Sequence, residues 1–327
     1  ILLCMNTTDL PQFPDVKPFE IQDRQAVNRF LDRFDVESCE YSFTNLFCWQ
    51  DTYPMAWTVY QDRLVILNKR NGSFLMPVGE FLSPEYLFIL SAMIQNGCST
   101  SEITSVPQRY LDEHPAVKGY YTISKQRDHA DYIYSAEKLA ELKGKKLHKK
   151  KNQISQFERR YPQYRVESIQ GDMIRKCRDF ANELFARQTK PPESLVYEHD
   201  AITMAFRYFD QLGLEGQVLL IGDRPAAFSL YSRLTPDTYD IHFEKADLLV
   251  KGAAQVINHE VAKRLKNRCT FINREQDLGV PGLRKAKLSY DPVDIRINAT
   301  LHFTPADTMS ERLRKPFHEG STKPLKK

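Results

Sequence analysis

The sequence predicts an α/β (α+β) protein of two tandem domains, each a mixed, mostly antiparallel sheet flanked by helices. Its 327 residues are enough for two domains that each bury a core. Hydrophobic residues alternate between helical and strand spacing, and the resulting elements follow the same order in both halves. We therefore divide the chain into a first domain at 15–135, a basic bridging helix at 136–161, a second domain at 162–303 and a basic, mobile tail at 304–327.

The second half shows this order more clearly. Strands are expected at 165–169, 217–221, 226–234, 238–246, 269–275 and 293–301. Two helices lie between the first two strands, with Asp172 and Asp200 as their expected caps. Two more helices follow, one opened by Gly252 and one at 282–290. The order β-α-α-β-β-β-α-β-α-β resembles that of the GNAT (N-acetyltransferase) superfamily.

The first half repeats the order less clearly. Helices are expected at 23–34, at 42–53, from Pro84 onward and near 107–113. Strands are expected at 57–60, 63–68, 73–77, 102–106 and either 120–124 or 131–135. The turn before the third helix has Ser83 as its one small residue, and Pro84 has no N–H to offer a phosphate. We therefore expect this half to be a degenerate copy without a phosphate site.

The bridging helix at 136–161 carries the lysine run KGKKLHKKKN. An apolar stripe recurs along it at helical spacing, formed by Leu147, Ile154, Phe157 and Tyr161. One face should therefore pack against the protein, and several lysines should share another surface. The candidates for binding phosphates of RNA, CoA or an anionic lipid headgroup are Lys146, Lys149 and Lys150. A solvated helix face is the alternative interpretation.

Composition narrows the classes of protein. The formal net charge of +4 is mild, so binding to polyanions has to come from local clusters. The six cysteines form no Cys-x-x-Cys pair, which argues against a structural zinc site or a disulfide framework, and we predict no metal ligands. No apolar run approaches the ~20 residues that span a bilayer. A cytoplasmic protein without a transmembrane segment is expected.

The first candidate for chemistry is the turn KGAAQ, which opens the helix after strand 238–246. Small residues allow a ligand to approach the backbone closely, and the N–H groups of a first helical turn favour phosphate. The predicted donor-binding residues are Lys251, Gly252, Ala253, Ala254 and Gln255. A helix start selected for close packing is the alternative.

The second candidate is the strand 239–246 itself. Asp240, His242 and Glu244 project from one of its faces, whereas apolar residues project from the other. Three ionisable groups on one face of a central strand require partners or a cleft. We predict that Glu244 or His242 positions a nucleophile and that Lys245 contacts substrate. A structural network of ion pairs is the alternative.

The third candidate is the strand exit and helix FINREQDLGVPGLRKAKLSY at 271–290. Polar residues at the end of a central strand lie where α/β sheets place ligands. The predicted substrate-binding residues are Asn273, Glu275, Asp277 and Arg284. Arg274 is predicted to offset negative charge, and Tyr290 to act as a general acid. The alternative is that ion pairs among these residues lock the loop.

Three stretches resemble the soluble branch of the phosphatidylglycerol lysyltransferase C-terminal domain family. They are DYIYSAEKLAELKGKKLHKKKNQISQF at 131–157, IHFEKAD at 241–247 and FINREQDLGVPGLRKAKLSYDP at 271–292, and FTNLFCWQDTY at 43–53 fits the first domain of the same family. The resemblance implies tandem GNAT domains. It also implies a link to enzymes that transfer an aminoacyl group from aminoacyl-tRNA to phosphatidylglycerol.

The expected function is transfer of an aminoacyl or acyl group from aminoacyl-tRNA or acyl-CoA to an amine or hydroxyl. The donor is thus a substrate, and no covalently bound cofactor is expected. An ordinary acetyl-CoA-dependent N-acetyltransferase is a second possibility. The GNAT fold usually holds the pyrophosphate of CoA on a Q/R-x-x-G-x-G/A motif, of which only Gly252 and the two alanines are present in KGAAQ. A non-catalytic protein that binds RNA or an anionic membrane surface is the alternative from another class. It would need the lysine surface but not Glu244, Arg274 or Asp277.

Overall fold

The computed structural model describes residues 10–34, 36, 38–95 and 102–303. The tail predicted at 304–327 lies outside them. The helices are α1 (Arg24–Arg33), α2 (Phe43–Cys48), α3 (Pro84–Gln95), α4 (Gln108–Glu113), α5 (Ala136–Glu141), α6 (His148–Arg160), α7 (Asp172–Ala186), α8 (Glu193–Arg207), α9 (Ala253–Leu265) and α10 (Pro281–Leu288). Within the described ranges, no helix combines the length and apolar composition that crossing a membrane requires.

The strands form two sheets of seven. In chain order they are β1 (Lys17–Pro18), β2 (Met55–Tyr60), β3 (Arg63–Asn68), β4 (Phe74–Leu75), β5 (Glu102–Val106), β6 (Tyr121–Lys125), β7 (Asp131–Ser135), β8 (Arg165–Ser168), β9 (Glu215–Ile221), β10 (Arg224–Thr235), β11 (Thr238–Ala246), β12 (Phe271–Asn273), β13 (Asp294–Arg296) and β14 (Ala299–Phe303). One sheet has the order β1-β2-β3-β4-β5-β14-β6, and the other has β8-β9-β10-β11-β12-β7-β13. Only β4–β5 and β11–β12 pair in parallel among these strands, which confirms the predicted, mostly antiparallel GNAT-like sheets.

The two halves exchange a strand. β7, from the first half, pairs with β12 and β13 of the second sheet, and β14 pairs with β5 and β6 of the first. The boundary expected at residue 135 therefore does not separate the sheets. The single strand expected at 293–301 is wrong, because the chain leaves the second sheet after Arg296 and enters the first at Ala299. Each sheet thus needs residues from both halves.

The predicted bridging helix is also interrupted. α5 ends where Leu142 takes a left-handed conformation (φ 50°), and Gly144 (φ 103°) follows with a backbone that favours glycine. A short 3-10 turn then leads into α6. The apolar stripe is nevertheless buried at Leu147 and Phe157, so α6 packs with its lysines on the remaining faces.

Helix starts in the second half differ from the predicted caps. α8 begins at Glu193, directly after Pro192, so Asp200 lies inside this helix and the predicted cap is wrong. Proline at the start of a helix costs no hydrogen bond, which explains the earlier beginning. Asp172 is the first residue of α7, and Gly171 holds the capping position.

Aromatic packing joins α2 to the second half. Phe47 meets Tyr208 edge-on with 5.1 Å between ring centroids, and Trp49 stacks on Phe243 of β11 at 6.3 Å. These residues belong to one hydrophobic core that contains side chains from both halves. α2 is therefore held against the second sheet, next to the polar face of β11.

Candidate active site

The candidate site lies where β12 ends beside β11. The two strands run parallel with Asn273 opposite Asp240, and β11 continues past this point to Ala246. The prediction that Asp240, His242 and Glu244 share one face of β11 is wrong. A bulge at His242 shifts the register between β10 and β11, so Glu244 projects from the face opposite Asp240 and His242. The carboxyl end of parallel strands is where α/β sheets leave room for ligands.

Glu244 and Arg274 form the outer part of the site. Their carboxylate and guanidinium lie 3.0 Å apart, with 17% and 14% of the respective side chains exposed. The side-chain oxygen of Asn258 on α9, with the amide in its hydrogen-bonding orientation, accepts from the Arg274 guanidinium at 2.8 Å. The guanidinium also contacts the rings of Tyr290 (4.9 Å to the centroid) and Tyr134 (5.9 Å). Side chains from three other segments of the chain therefore orient the Glu244–Arg274 pair.

Two lysines and a protonated tyrosine adjoin this pair. The Lys150 ammonium lies 4.0 Å from the centroid of the Tyr290 ring, and burial, with Arg274 and Lys149 nearby, lowers its pKa. Burial raises the pKa of Tyr290 to about 12, so its hydroxyl keeps its proton at neutral pH. Lys287 donates to the carbonyl of Arg274, and burial together with that guanidinium lowers the Lys287 pKa to about 8. Cationic groups therefore surround an edge where an acyl oxygen can accept hydrogen bonds.

His242 belongs to an inner cluster rather than to this outer part. Its side chain is fully buried, with Nε2 2.8 Å from Ser232 Oγ and Nδ1 3.1 Å from Asn45 Oδ1. Asp240 Oδ2 and Glu275 Oε1 each lie 3.5 Å from Nδ1. Burial and the adjacent Glu275 carboxylate raise the pKa of Asp240 well above its usual range. With both ring nitrogens engaged, His242 does not face the cleft.

Asp277 and Arg284 hold the loop that follows β12. The Asp277 carboxylate is fully buried and accepts hydrogen bonds from Tyr132 Oη (2.6 Å), Arg284 Nε (2.8 Å) and the N–H of Gly279 (2.9 Å). The Arg284 guanidinium holds the pKa of Asp277 well below its usual range. Asn273, also buried, accepts from the N–H of Glu275 at 2.7 Å. These contacts match the alternative of a locked loop, and direct binding to substrate by these residues stays a prediction.

The structure separates other predicted residues from the pair. Lys245 points to the opposite face of β11 and lies 2.5 Å from Glu198 of α8. Lys146 pairs with Asp291 at 2.7 Å, and Lys149 is exposed on α6. The lysine surface lies next to the outer part of the site through Lys150 alone among the three predicted lysines.

The turn 251–255 opens α9 as predicted, with Gly252 at its N-cap. Gly252 has a φ of 94°, and a Cβ there would lie 2.9 Å from Cβ of Phe157 on α6. The N–H groups of Ala253, Gln255 and Val256 already donate to backbone carbonyls of the turn. Close packing of α6 against α9 therefore explains the glycine, which is the alternative given for it.

Replacing Gly252 with alanine is expected to destabilise the fold by about 2 kcal/mol, because it adds a left-handed residue and a clash with α6. Urea unfolding measures the change. Gly282→Ala is the matched control, because nothing lies within 4 Å of a Cβ at that position in α10. Equal stabilities for the two variants would contradict this explanation.

Several residues of the site were not predicted from the sequence. Asn45 comes from α2, Ser232 from β10 and Tyr134 from the exchanged strand β7. Asn258 is a buried polar residue among the apolar positions of α9, and that break in the pattern is a usable signal. The others reach the site only through tertiary packing.

The two GNAT-like sheets form an acyltransferase-type fold. The oriented Glu244–Arg274 pair lies at one edge of the second sheet. The chain belongs to the family described as phosphatidylglycerol lysyltransferase, C-terminal, which it matches over residues 31–297. This finding confirms the resemblance seen in the sequence.

Three solved structures share the fold. A protein of unknown function from Bacteroides thetaiotaomicron is 32% identical, with a TM-score of 0.81, and the match covers 88% of this chain and 99% of that one. L-PGS from Bacillus licheniformis is 14% identical (TM-score 0.60; 91% and 96% covered). FemX is 8% identical (TM-score 0.55; 92% and 100% covered). Among curated protein sequences, none matches this chain.

Proposed function

We propose that this protein transfers an aminoacyl group from aminoacyl-tRNA to an amine or hydroxyl acceptor. The observation that carries the proposal is the Glu244–Arg274 pair, which Asn258 and two tyrosines orient where β12 ends beside β11. Membership of a family described as a lysyltransferase supports the class of reaction.

The reaction requires attack by the acceptor nitrogen or oxygen on the ester carbonyl carbon. A new bond forms to that carbon, and the bond from the carbonyl carbon to the ribose oxygen breaks. Glu244 orients the attacking group and takes its proton as the new bond forms, and Arg274 with Lys150 stabilises the negative charge that develops on the carbonyl oxygen. Tyr290, kept protonated by burial, gives its proton to the departing ribose oxygen, and the proton held by Glu244 then restores the Tyr290 hydroxyl.

Two features favour tRNA over acyl-CoA as donor. Two N–H groups of the turn 251–255 and that of the next residue, Val256, already donate to backbone carbonyls, and Gly252 is packed against α6, so little of the turn is open to a pyrophosphate. The exposed lysines beside Lys150 on α6, among them Lys149 and Lys151, offer phosphate contacts outside the cleft. The acceptor is an amine or hydroxyl small enough to reach Glu244.

Glu244→Gln is expected to reduce transfer by about 10²-fold or more, because an amide cannot accept a proton or pair with Arg274 as a carboxylate does. The purified protein is incubated with a panel of charged tRNAs and acyl-CoAs, and consumption of each donor is measured. Thermal unfolding and tRNA retention should stay near wild type.

Glu198→Gln is the matched control, because Glu198 pairs with Lys245 on the far face of β11. It should leave transfer unchanged. Retained activity in Glu244→Gln would rule out this assignment. Retention of tRNA without any consumption of donor by the wild type would instead establish the non-catalytic alternative, and consumption of acyl-CoA alone would overturn the choice of donor.

A further inference from the structure

We propose that Asp240, His242, Glu275 and Asn45 form a binding site for one divalent transition-metal cation, beneath the outer part of the candidate active site. The site has one imidazole nitrogen and three oxygens as donors. This donor set suits Mn²⁺ or Zn²⁺. Nothing in the proposed transfer reaction depends on it.

The geometry of the four donors is the first argument. One donor atom each from Asp240, His242 and Glu275 lies within 4.8 Å of the others. His242 Nδ1 is 3.5 Å from Asp240 Oδ2, 3.5 Å from Glu275 Oε1 and 3.1 Å from Asn45 Oδ1. Four ligands around an ion with bonds of about 2.1 Å lie roughly 3.4 Å from one another, and the three distances from Nδ1 fit that spacing.

The state of Asp240 is an independent argument. Its side chain is fully buried, and neither carboxylate oxygen has a hydrogen-bond partner among the residues that the structure describes. A buried carboxylate is normally paired with a cation or satisfied by donors. The basic groups nearby are engaged elsewhere, since Lys287 donates to the carbonyl of Arg274 and Arg274 pairs with Glu244. A cation between Asp240 and Glu275 satisfies Asp240, whereas Glu275 Oε1 already accepts from the Asn45 amide at 2.8 Å and has further acceptor capacity for an ion.

The surroundings of His242 fit a metal ligand. Ring atom Nε2 lies 2.8 Å from Ser232 Oγ, which fixes the ring and directs Nδ1 toward the carboxylates. A second contact of this kind is common for histidines that bind metals. Asp131, also buried nearby, adds negative potential that attracts a cation. Glu275, with 24% of its side chain exposed, provides the access route from solvent.

A proton shared between Asp240 and Glu275 is the competing explanation. It satisfies the carboxylates without an ion and leaves no preference for a metal. Binding measurements on the full chain distinguish the two, because only the metal site gives stoichiometric uptake of an ion that depends on its ligands.

The test uses protein stripped with EDTA, dialysed and titrated with MnCl₂ and separately with ZnCl₂. We expect one ion per chain by calorimetry and elemental analysis. Thermal stability should rise on loading, because the ion binds the folded state. Asp240→Asn and Glu275→Gln should each weaken binding by about 100-fold, and Ser232→Ala by about 10-fold.

Glu102→Gln is the matched control. Glu102 lies 3.0 Å from His302 Nδ1 in a partly exposed pair, and no third His, Cys, Asp or Glu of the described residues joins them in a cluster, so this change should leave uptake unaltered. If Asp240→Asn fails to fold, Glu275→Gln at the partly exposed rim still decides the question. Absence of stoichiometric uptake, or equal uptake by wild type and Glu275→Gln, would overturn the proposal.

Discussion

Replacing Arg274 with lysine is expected to lower the rate of transfer by about 10²–10³-fold while the protein stays folded. Lysine keeps the positive charge but loses the planar fork that pairs with Glu244 and lies against the rings of Tyr134 and Tyr290. The charge that stabilises the reacting oxygen would then be displaced. Measurement of kcat and KM with charged tRNA should show the loss mainly in kcat, since the interaction acts in the transition state.

Arg268→Lys is a closely matched control. Arg268 pairs with Glu215 at 2.6 and 2.7 Å and lies 4.9 Å from the centroid of the Tyr239 ring, at the start of β11 rather than at its end. The same chemistry is lost there without contact with the proposed cleft. Transfer per folded molecule should be unchanged. Equal losses of transfer in the two variants would mean that Arg274 has a structural role.

A double-mutant cycle sharpens the test. If Glu244 and Arg274 act as one unit, the combined variant Glu244→Gln, Arg274→Lys should be little slower than the slower single variant. If the two changes multiply, the residues contribute independently and the proposed division of roles is wrong.

The polar residues of β11 could be predicted from the sequence, but their distribution between its two faces could not. Strand alternation places Asp240, His242 and Glu244 on one face, whereas a bulge at His242 moves Glu244 to the other. The polar exit of β12 could be predicted because Asn, Arg and Glu directly follow a buried strand. The local pattern therefore locates these residues, and the register of the folded sheet decides which of them lie together.

The partners of His242 and Arg274 could not be predicted from the sequence, because tertiary packing brings them to the site. Asn45 reaches His242 from the first half only because Phe47 and Trp49 hold α2 against the second half. Tyr134 reaches Arg274 because β7 crosses into the second sheet. The order of helices and strands along the chain cannot reveal that β7 and β14 exchange sheets, because the order is the same with or without the exchange.

Residue type alone also did not separate catalytic from structural charges. Asp277 and Glu244 both follow the pattern of a polar residue near a strand end. The structure gives Asp277 four donor residues and no exposure, whereas 17% of the Glu244 side chain is exposed. The number of internal partners, which depends on the folded loop, is what distinguishes them.

A second large effect, on stability, is expected at Asp277 in the loop that follows β12. Asp277→Asn is expected to destabilise the protein by about 3 kcal/mol at pH 7, because the change removes a buried carboxylate that accepts from Tyr132 and pairs with Arg284 and Arg127. Urea unfolding gives the difference in free energy. Asp179→Asn is the control: Asp179 is about half exposed in surface pairs with Arg175 and Arg178, and its replacement should change stability by less than about 0.5 kcal/mol.

The effect of Asp277→Asn should depend on pH in a defined direction. The pKa of Asp277 is lower in the folded protein than in the unfolded chain, since Arg284 favours the charged form. Its contribution is therefore complete above the unfolded pKa of about 4 and is lost as the pH falls below that value. Unfolding curves at pH 7, 5 and about 3 should show the gap between wild type and Asp277→Asn narrowing only at the most acidic point. A gap that stays constant down to that pH would mean that the neutral side chain, rather than its charge, holds the loop.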